Sequence, residues 1–139
     1  MKEMQLQVGV KILLENGEGK FLLMRRSEEK YCDVLQKWDI PGGRIDPGKS
    51  LMENLEREVM EETSLKVTEE PRLIGAQDII LNGERHVVRL TYIGKTEGEP
   101  VLSEEHVEYR WFGIEELQTL EGLDKYLQSL LKAASWDLV

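Results

Sequence analysis

Glu58, Glu61 and Glu62 stand three and four residues apart in the stretch 51–63, the spacing that gathers side chains on one side of a helix. Each helical residue advances by about 100°, so the three carboxylates fall within an arc of roughly 100°. Leu51, Leu55 and Val59 border the same arc, so the acidic group overlaps the stripe that should face a core. Like charges at this spacing repel by roughly 0.2–0.5 kcal/mol when exposed, and by more when partly desolvated. Two readings follow. A glutamate-rich face is often only solvated surface. A hard divalent cation would instead turn the repulsion into coordination, since Mg²⁺ favours oxygen ligands, and the position beside the apolar stripe favours this second reading. Arg57 flanks the arc and can pair with Glu53 or Glu61 at helical spacing.

The segment Gly43 to Leu65 resembles the Nudix box, G-x5-E-x7-R-E-U-x-E-E-x-G-U, where U is a bulky aliphatic residue. Gly43, Arg57, Glu58, Val59, Glu61, Glu62 and Leu65 stand at their required positions, while Lys49 replaces the first Glu and Ser64 replaces the Gly. The likeness continues in Leu22-Leu23-Met24-Arg25-Arg26, in Trp38-x-x-Pro41-Gly42-Gly43, and in Glu105-His106 with Tyr109-Arg110-Trp111. It therefore spans Val8 to about Leu117.

This resemblance implies an α/β fold, the Nudix-type α/β/α sandwich with a mixed, partly antiparallel sheet. It implies a metal-dependent hydrolase that cleaves a diphosphate linkage in a nucleoside diphosphate derivative, with nucleoside triphosphates or dinucleoside polyphosphates favoured. Glu58, Glu61 and Glu62 would hold Mg²⁺ or Mn²⁺ together with the carbonyl of Gly42, and Arg57 would orient a carboxylate. The family's extra acid, a metal ligand or general base, would be Glu105, with Glu104 and Glu108 as fallbacks. The metal neutralises charge on the diphosphate oxygens and activates a water for in-line attack, and a second carboxylate takes the proton. Arg25, Arg26 and Arg44 are candidate phosphate contacts, because guanidinium forks match phosphate geometry. His106, beside an aromatic strand, reads as structural ahead of a base. Trp38 and Trp111 read as core ahead of base-stacking platforms.

The departures are unequal. Ser64 must take a left-handed conformation at the helix end, at a cost of about 1 kcal/mol. Lys49 places a cation before the helix N-terminus, where the dipole disfavours it, and close to the expected metal cluster. Lys49 also completes G-x-x-x-x-G-K-[ST] from Gly43 to Ser50, the P-loop pattern, but that motif needs a buried parallel strand directly before it, and Trp38-Asp39-Ile40 is short. A non-catalytic nucleotide-binding module on the same fold is the other alternative.

The elements that must position these residues are read from periodicity. Gln5 to Leu14 alternates apolar and polar residues, as a strand with one buried face does. Asn16-Gly17-Glu18-Gly19 turns the chain into a partner strand, Phe21 to Met24, making a first hairpin. Ser27 to Lys37 is irregular, and Trp38 to Gly43 is a shaped loop. Ser50-Leu51-Met52-Glu53 has the form of a capping box, so a helix starts at Leu51 and ends near Thr63. Leu73 to Leu81, Asn82-Gly83 and Arg85 to Ile93 form a second hairpin. Gly94 to Glu104 is loop, Tyr109 to Phe112 a short strand, Glu115-Glu116-Leu117 a turn, and Leu123 to Ala134 an amphipathic helix.

At 139 residues the chain suits one domain, residues 1–139. A net charge of −9 argues against a nucleic-acid partner, whose phosphates need clustered Lys and Arg, and leaves a small nucleotide-like substrate. A single cysteine, Cys32, excludes an intramolecular disulfide, so a cytoplasmic setting is expected. No apolar run approaches the length of a membrane span. The oligomeric state is not readable.

Overall fold

The computed structural model describes residues 3–26 and 38–133. Cys32, Trp136 and the irregular Ser27 to Lys37 segment lie outside them. The elements are β1 Gln5–Glu15, β2 Phe21–Arg26, β3 Trp38–Asp39, β4 Gly42–Arg44, α1 Leu51–Thr63, β5 Arg72–Leu81, β6 Arg85–Lys95, β7 His106–Phe112, α2 Ile114–Thr119 and α3 Lys125–Ala133.

β1 is central. It runs parallel to β6 from Gln5↔Arg85 to Glu15↔Lys95, and β5 closes that edge antiparallel to β6. The β5–β6 hairpin turns at Asn82 and Gly83, both with positive φ, and Glu84 N–H donates to Leu81 O at 3.0 Å, as a type I′ turn requires. The first hairpin differs from expectation. Asn16 ties its turn, its side-chain oxygen accepting from the N–H groups of Glu18 and Lys20, yet β1 and β2 pair only at Glu15↔Phe21. Beyond that point they diverge. β2 pairs along its length with β7 and at Met24 and Arg25 with β3, while β4 takes the vacated edge of β1 at Gly9 to Lys11. The segment expected as a loop, Trp38 to Gly43, thus holds two short strands that fill a fork in the sheet.

The sheet is covered on both sides. Val10, Ile12, Leu14 and Leu22 pack with Leu55 and Val59 of α1, and Leu13, Phe21 and Leu23 pack with Leu117 of α2 and Leu127 and Leu131 of α3. β1 therefore buries both faces from Val10 to Leu14, whereas Leu6, part of the expected apolar face, is 67 % exposed. A central strand between helix layers has no solvent face to leave polar. Trp38 belongs to this core, edge-on to Phe112 with centroids 5.3 Å apart; Trp111 is partly buried and donates to Glu99 at 2.9 Å.

Several boundaries move, among them the end of β6, which runs to Lys95 rather than Ile93. α3 starts at Lys125 rather than Leu123, because Asp124 caps it by accepting from Leu127 N–H at 2.9 Å while Leu123 bridges to Trp38. The expected turn at Glu115 to Leu117 is a short helix. β7 begins at His106 rather than Tyr109, with a bulge that periodicity conceals. Among the described residues no helix is long and apolar enough to cross a membrane.

α1 begins where expected, with Ser50 Oγ accepting from Glu53 N–H at 3.0 Å. It ends on Ser64 at φ 61 and ψ 13, the left-handed conformation in which a Cβ is costly. Ser64→Gly is accordingly expected to stabilise the protein by about 1 kcal/mol, or roughly 3 °C in melting temperature. Thermal unfolding in the presence of a chelator measures it; an unchanged or lower midpoint would show that the Ser64 side chain compensates its backbone.

Candidate active site

The fork between β1 and β2 is held by charge. Lys11 on β1 donates to Asp39 Oδ2 at 2.9 Å and to Ile40 O at 3.2 Å, and Arg26 reaches the same carboxylate oxygen at 3.3 Å. Burial alone would raise the Asp39 carboxyl, but the charge and hydrogen bond of Lys11, with Arg89 and Arg26, hold it below the usual carboxylate range. Ile12 N–H donates to Pro41 O at 3.0 Å. These ties press Gly42 and Gly43 against β1. Gly42 has φ 143, and a Cβ there would lie 2.0 Å from Val10 O, so no side chain fits. A Cβ on Gly43 would lie 2.8 Å from a Glu58 carboxylate oxygen.

α1 presents its carboxylates to this glycine pair unequally. Glu62 is only 8 % exposed and accepts from Gly42 N–H at 2.8 Å; burial pushes its pKa up to about 7, against the opposing charge of Lys11 and the Gly42 hydrogen bond. Glu58 is raised too, chiefly by burial, with Arg57 opposing. Glu61 has a side chain 58 % exposed and pairs with Arg57 at 3.9 Å. Arg57 orients a carboxylate as expected, holding Glu58 Oε1 at 3.2 Å. It also binds Asp46 at 3.3 Å, Asn54 Oδ1 at 3.0 Å and Arg44 O at 3.4 Å. Asn54 is fully buried and ties the preceding loop, donating to Lys49 O and Ser50 O and accepting from Asp46 N–H.

The extra acid arrives by docking of a loop on the end of α1. Helix C-terminal carbonyls lack partners within the helix; here Thr63 O accepts from Val101 N–H at 2.8 Å and Glu62 O from Ser103 N–H at 3.3 Å. This brings one ligand atom each of Glu62, Glu105 and His106 within 4.8 Å of one another. Glu104 is exposed, and Glu108 is engaged by Arg25 at 2.6 Å. His106 is 9 % exposed, and burial, then Lys11 and Arg26, lower its pKa. Of the expected trio, only Glu62 enters this cluster; Glu58 and Glu61 share its helix face outside it. Two carboxylates and an imidazole whose Nδ1 is buried without a partner among the described residues are a donor set that fits a divalent cation.

Lys49 is exposed and precedes α1, outside the helix that carries Glu58 and Glu62, and the leading cationic influences on those two carboxylates are Arg57 and Lys11. The P-loop alternative fails as well, because β3 and β4 are two and three residues long and pair antiparallel.

On the α3 side of the sheet a cavity of about 460 Å³ opens beside Gly42 and Gly43, lined by Lys11, Arg26, Arg44, Arg85, Arg89 and Tyr126 among others. Arg26 and Arg44 thus reach it, and Arg25 does not line it. Arg85 and Arg89 were missed as candidates, although Arg85, Val87 and Arg89 alternate on one strand face.

Two outcomes are expected of these carboxylates. A carboxyl raised from 4.5 to about 7 binds its proton more tightly in the folded state. The cost of ionising Glu62, on the order of 3 kcal/mol, is therefore full above pH 7 and absent below pH 4.5. In urea unfolding with EDTA, Glu62→Gln should gain stability over wild type at pH 8 and little at pH 4.5; a difference independent of pH would refute the burial argument. Gly43→Ala should fold but displace the Glu58 carboxylate, weakening Mn²⁺ binding about tenfold by calorimetric titration. Unchanged affinity would remove Glu58 from the metal site.

A model of the NUDIX domain matches residues 5–133. Bis(5'-nucleosyl)-tetraphosphatase [asymmetrical] from Rattus norvegicus is 30% identical over 132 residues, covering 84% of this chain and 80% of that protein. A MutT protein from Methanosarcina mazei Go1 superposes with a TM-score of 0.81 at 32% identity, covering 95% of this chain and 94% of the other. A MutT NUDIX hydrolase from Burkholderia pseudomallei does so at 0.77 and 26% identity, covering 92% and 97%. The match covers both the carboxylate-bearing α1 and the fork with its paired glycine on which it docks: the chain belongs to the NUDIX hydrolase family.

Proposed function

We propose that this chain hydrolyses a phosphoanhydride bond of a nucleoside polyphosphate with Mg²⁺ or Mn²⁺, taking dinucleoside polyphosphates ahead of nucleoside triphosphates. The observation that carries the reading is the meeting of two unlike surfaces at one glycine pair. Carboxylates and an imidazole lie on the α1 side of Gly42 and Gly43, and a basic cleft lies on the α3 side.

A divalent cation bound by the carboxylates supplies charge neutralisation on the diphosphate oxygens and a polarised water. Glu62 and Glu105 would hold it, with Glu58 fixed by Arg57 and Glu61 at the exposed rim as further carboxylates, and the Gly42 carbonyl as an additional oxygen. Glu105, exposed and beside Glu62, would complete that oxygen set, and a carboxylate left free of the metal would take the proton of the attacking water. Arg26 and Arg44 bind the phosphates next to the scissile bond, and Arg85 and Arg89 bind those farther along. This local concentration of cations resolves the conflict between an anionic substrate and a chain of net charge −9, since the field in a cleft follows its lining groups. The rat relative, named as a bis(5'-nucleosyl)-tetraphosphatase, supports the preference for a long polyphosphate.

The test is turnover of purified protein with Mg²⁺ or Mn²⁺ on dinucleoside tetraphosphates, nucleoside triphosphates, nucleotide sugars and ADP-ribose, with products separated by chromatography. The highest kcat/KM is expected on a dinucleoside tetraphosphate, with no turnover in excess EDTA. Glu62→Gln and Glu105→Gln should each lower kcat at least about tenfold, and Arg85→Ala should raise KM more for the tetraphosphate than for a triphosphate. Turnover in EDTA, or preference for a nucleotide sugar, overturns the reading.

A further inference from the structure

We infer that His106 is a nitrogen ligand of the divalent cation, and that the centre consequently prefers Mn²⁺ to Mg²⁺; the inference rests on the metal-dependent reading above. Two independent observations carry it. The first is the placement of the ring. Leu22 belongs to the core on the α1 side and Phe21 and Leu23 to the core on the other, so by alternation the Arg26 side chain starts from the α1 side, and its guanidinium reaches across the fork to Asp39. On β7, Phe112 faces away from α1 while Tyr109 and Trp111 pack toward it, so an unbroken strand would turn His106 away from α1. The bulge prevents this. Arg25 pairs with Glu108 but Arg26 pairs with His106, leaving Val107 as the extra residue and bringing His106 to the face where Glu62 lies. A bulge re-aims a side chain in this way, and here it leaves Val107 53 % exposed.

The second observation is the ring's unmet bonding. His106 is 9 % exposed, and its Nδ1 is buried with no hydrogen-bond partner among the described residues. A buried unpaired nitrogen is costly in a finished structure, and one nitrogen of this ring lies within 4.8 Å of a carboxylate oxygen of each of Glu62 and Glu105, so a cation held between those acids meets the imidazole. Imidazole suits transition metals, whereas Mg²⁺ keeps oxygen ligands and water. An all-oxygen centre would have no use for the reversed strand face.

The test uses Mn²⁺ as its probe on the full chain. Electron spin-echo spectroscopy of Mn²⁺-bound protein should show coupling to a directly bound ¹⁴N that changes when the histidines are labelled with ¹⁵N. With two histidines in the chain, His86 is the control; it lies on β6 and pairs with Asp78 at 2.8 Å. The coupling should persist in His86→Asn and vanish in His106→Asn, where calorimetric titration should show Mn²⁺ affinity lowered at least about tenfold and Mg²⁺ affinity changed less than about threefold. If His106→Asn does not fold, the labelled wild type and His86→Asn still decide. Bound Mn²⁺ without histidine coupling overturns the inference and leaves the metal-dependent reading standing; failure to bind Mn²⁺ at all overturns both.

Discussion

The buried ion pair between Lys11 and Asp39 is the constraint on which the site depends. A sheet whose adjacent strands diverge leaves backbone donors and acceptors unpaired, and each must find a partner or cost free energy. The Trp38 to Arg44 segment supplies those partners by pairing with β2 at one end and β1 at the other. Two residues of pairing do not hold a segment in one register, so the lock must come from elsewhere. A buried ion pair contributes little net stability, because desolvation offsets the Coulomb attraction, but removing one partner costs about 3–5 kcal/mol. The pair therefore acts as a register pin. It places Gly42 N–H opposite Glu62 and leaves the space over Gly43 to Glu58.

That placement gives the acidic helix its chemistry. Exposed, the three glutamates would repel weakly and remain ordinary carboxylates. Pressed against the glycine pair, Glu62 loses water and its pKa rises, while Lys11 limits the rise without reaching a direct bond. A destabilised carboxylate thus lies next to a second acid and an imidazole whose Nδ1 has no partner among the described residues, an arrangement costly to the fold. Functional sites commonly carry such costs, supported by structure that is well satisfied elsewhere. Here the support is local: Arg57, Asp46 and Asn54 join the loop before α1 to the helix.

What could be read from the sequence was whatever short-range chemistry determines. The start of α1 follows from Ser50, its end from the strained Ser64, and the second hairpin from Asn82-Gly83, each a signal contained in a few neighbouring residues. The fork was not legible, because strands of two and three residues carry no period. Lys11 looked like the polar member of an alternating strand and proved to be buried on the opposite face from Val10 and Ile12. The β7 bulge is invisible without its partner strand, since only pairing with Arg25 and Arg26 reveals that Val107 is extra. Arg85 and Arg89 carried a period-two signal, but which strand face meets the cleft is decided by β1 lying parallel to β6 across a long separation in the chain.

Lys49 shows the same limit from the other direction. As a motif departure it puts a cation where the box has an acid, close to the expected metal cluster. In space, the helix arginine has a loop carboxylate nonetheless: Asp46 reaches Arg57 at 3.3 Å, and Asn54 holds the loop so that Asp46 N–H is satisfied at 2.8 Å. Lys49 lies just before the start of the helix and is exposed, where a cation opposes the dipole by roughly 0.3–1 kcal/mol at most. A helix N-terminal loop can offer its acid from more than one position, provided the loop is fixed. The departure is therefore one of stability at the helix start.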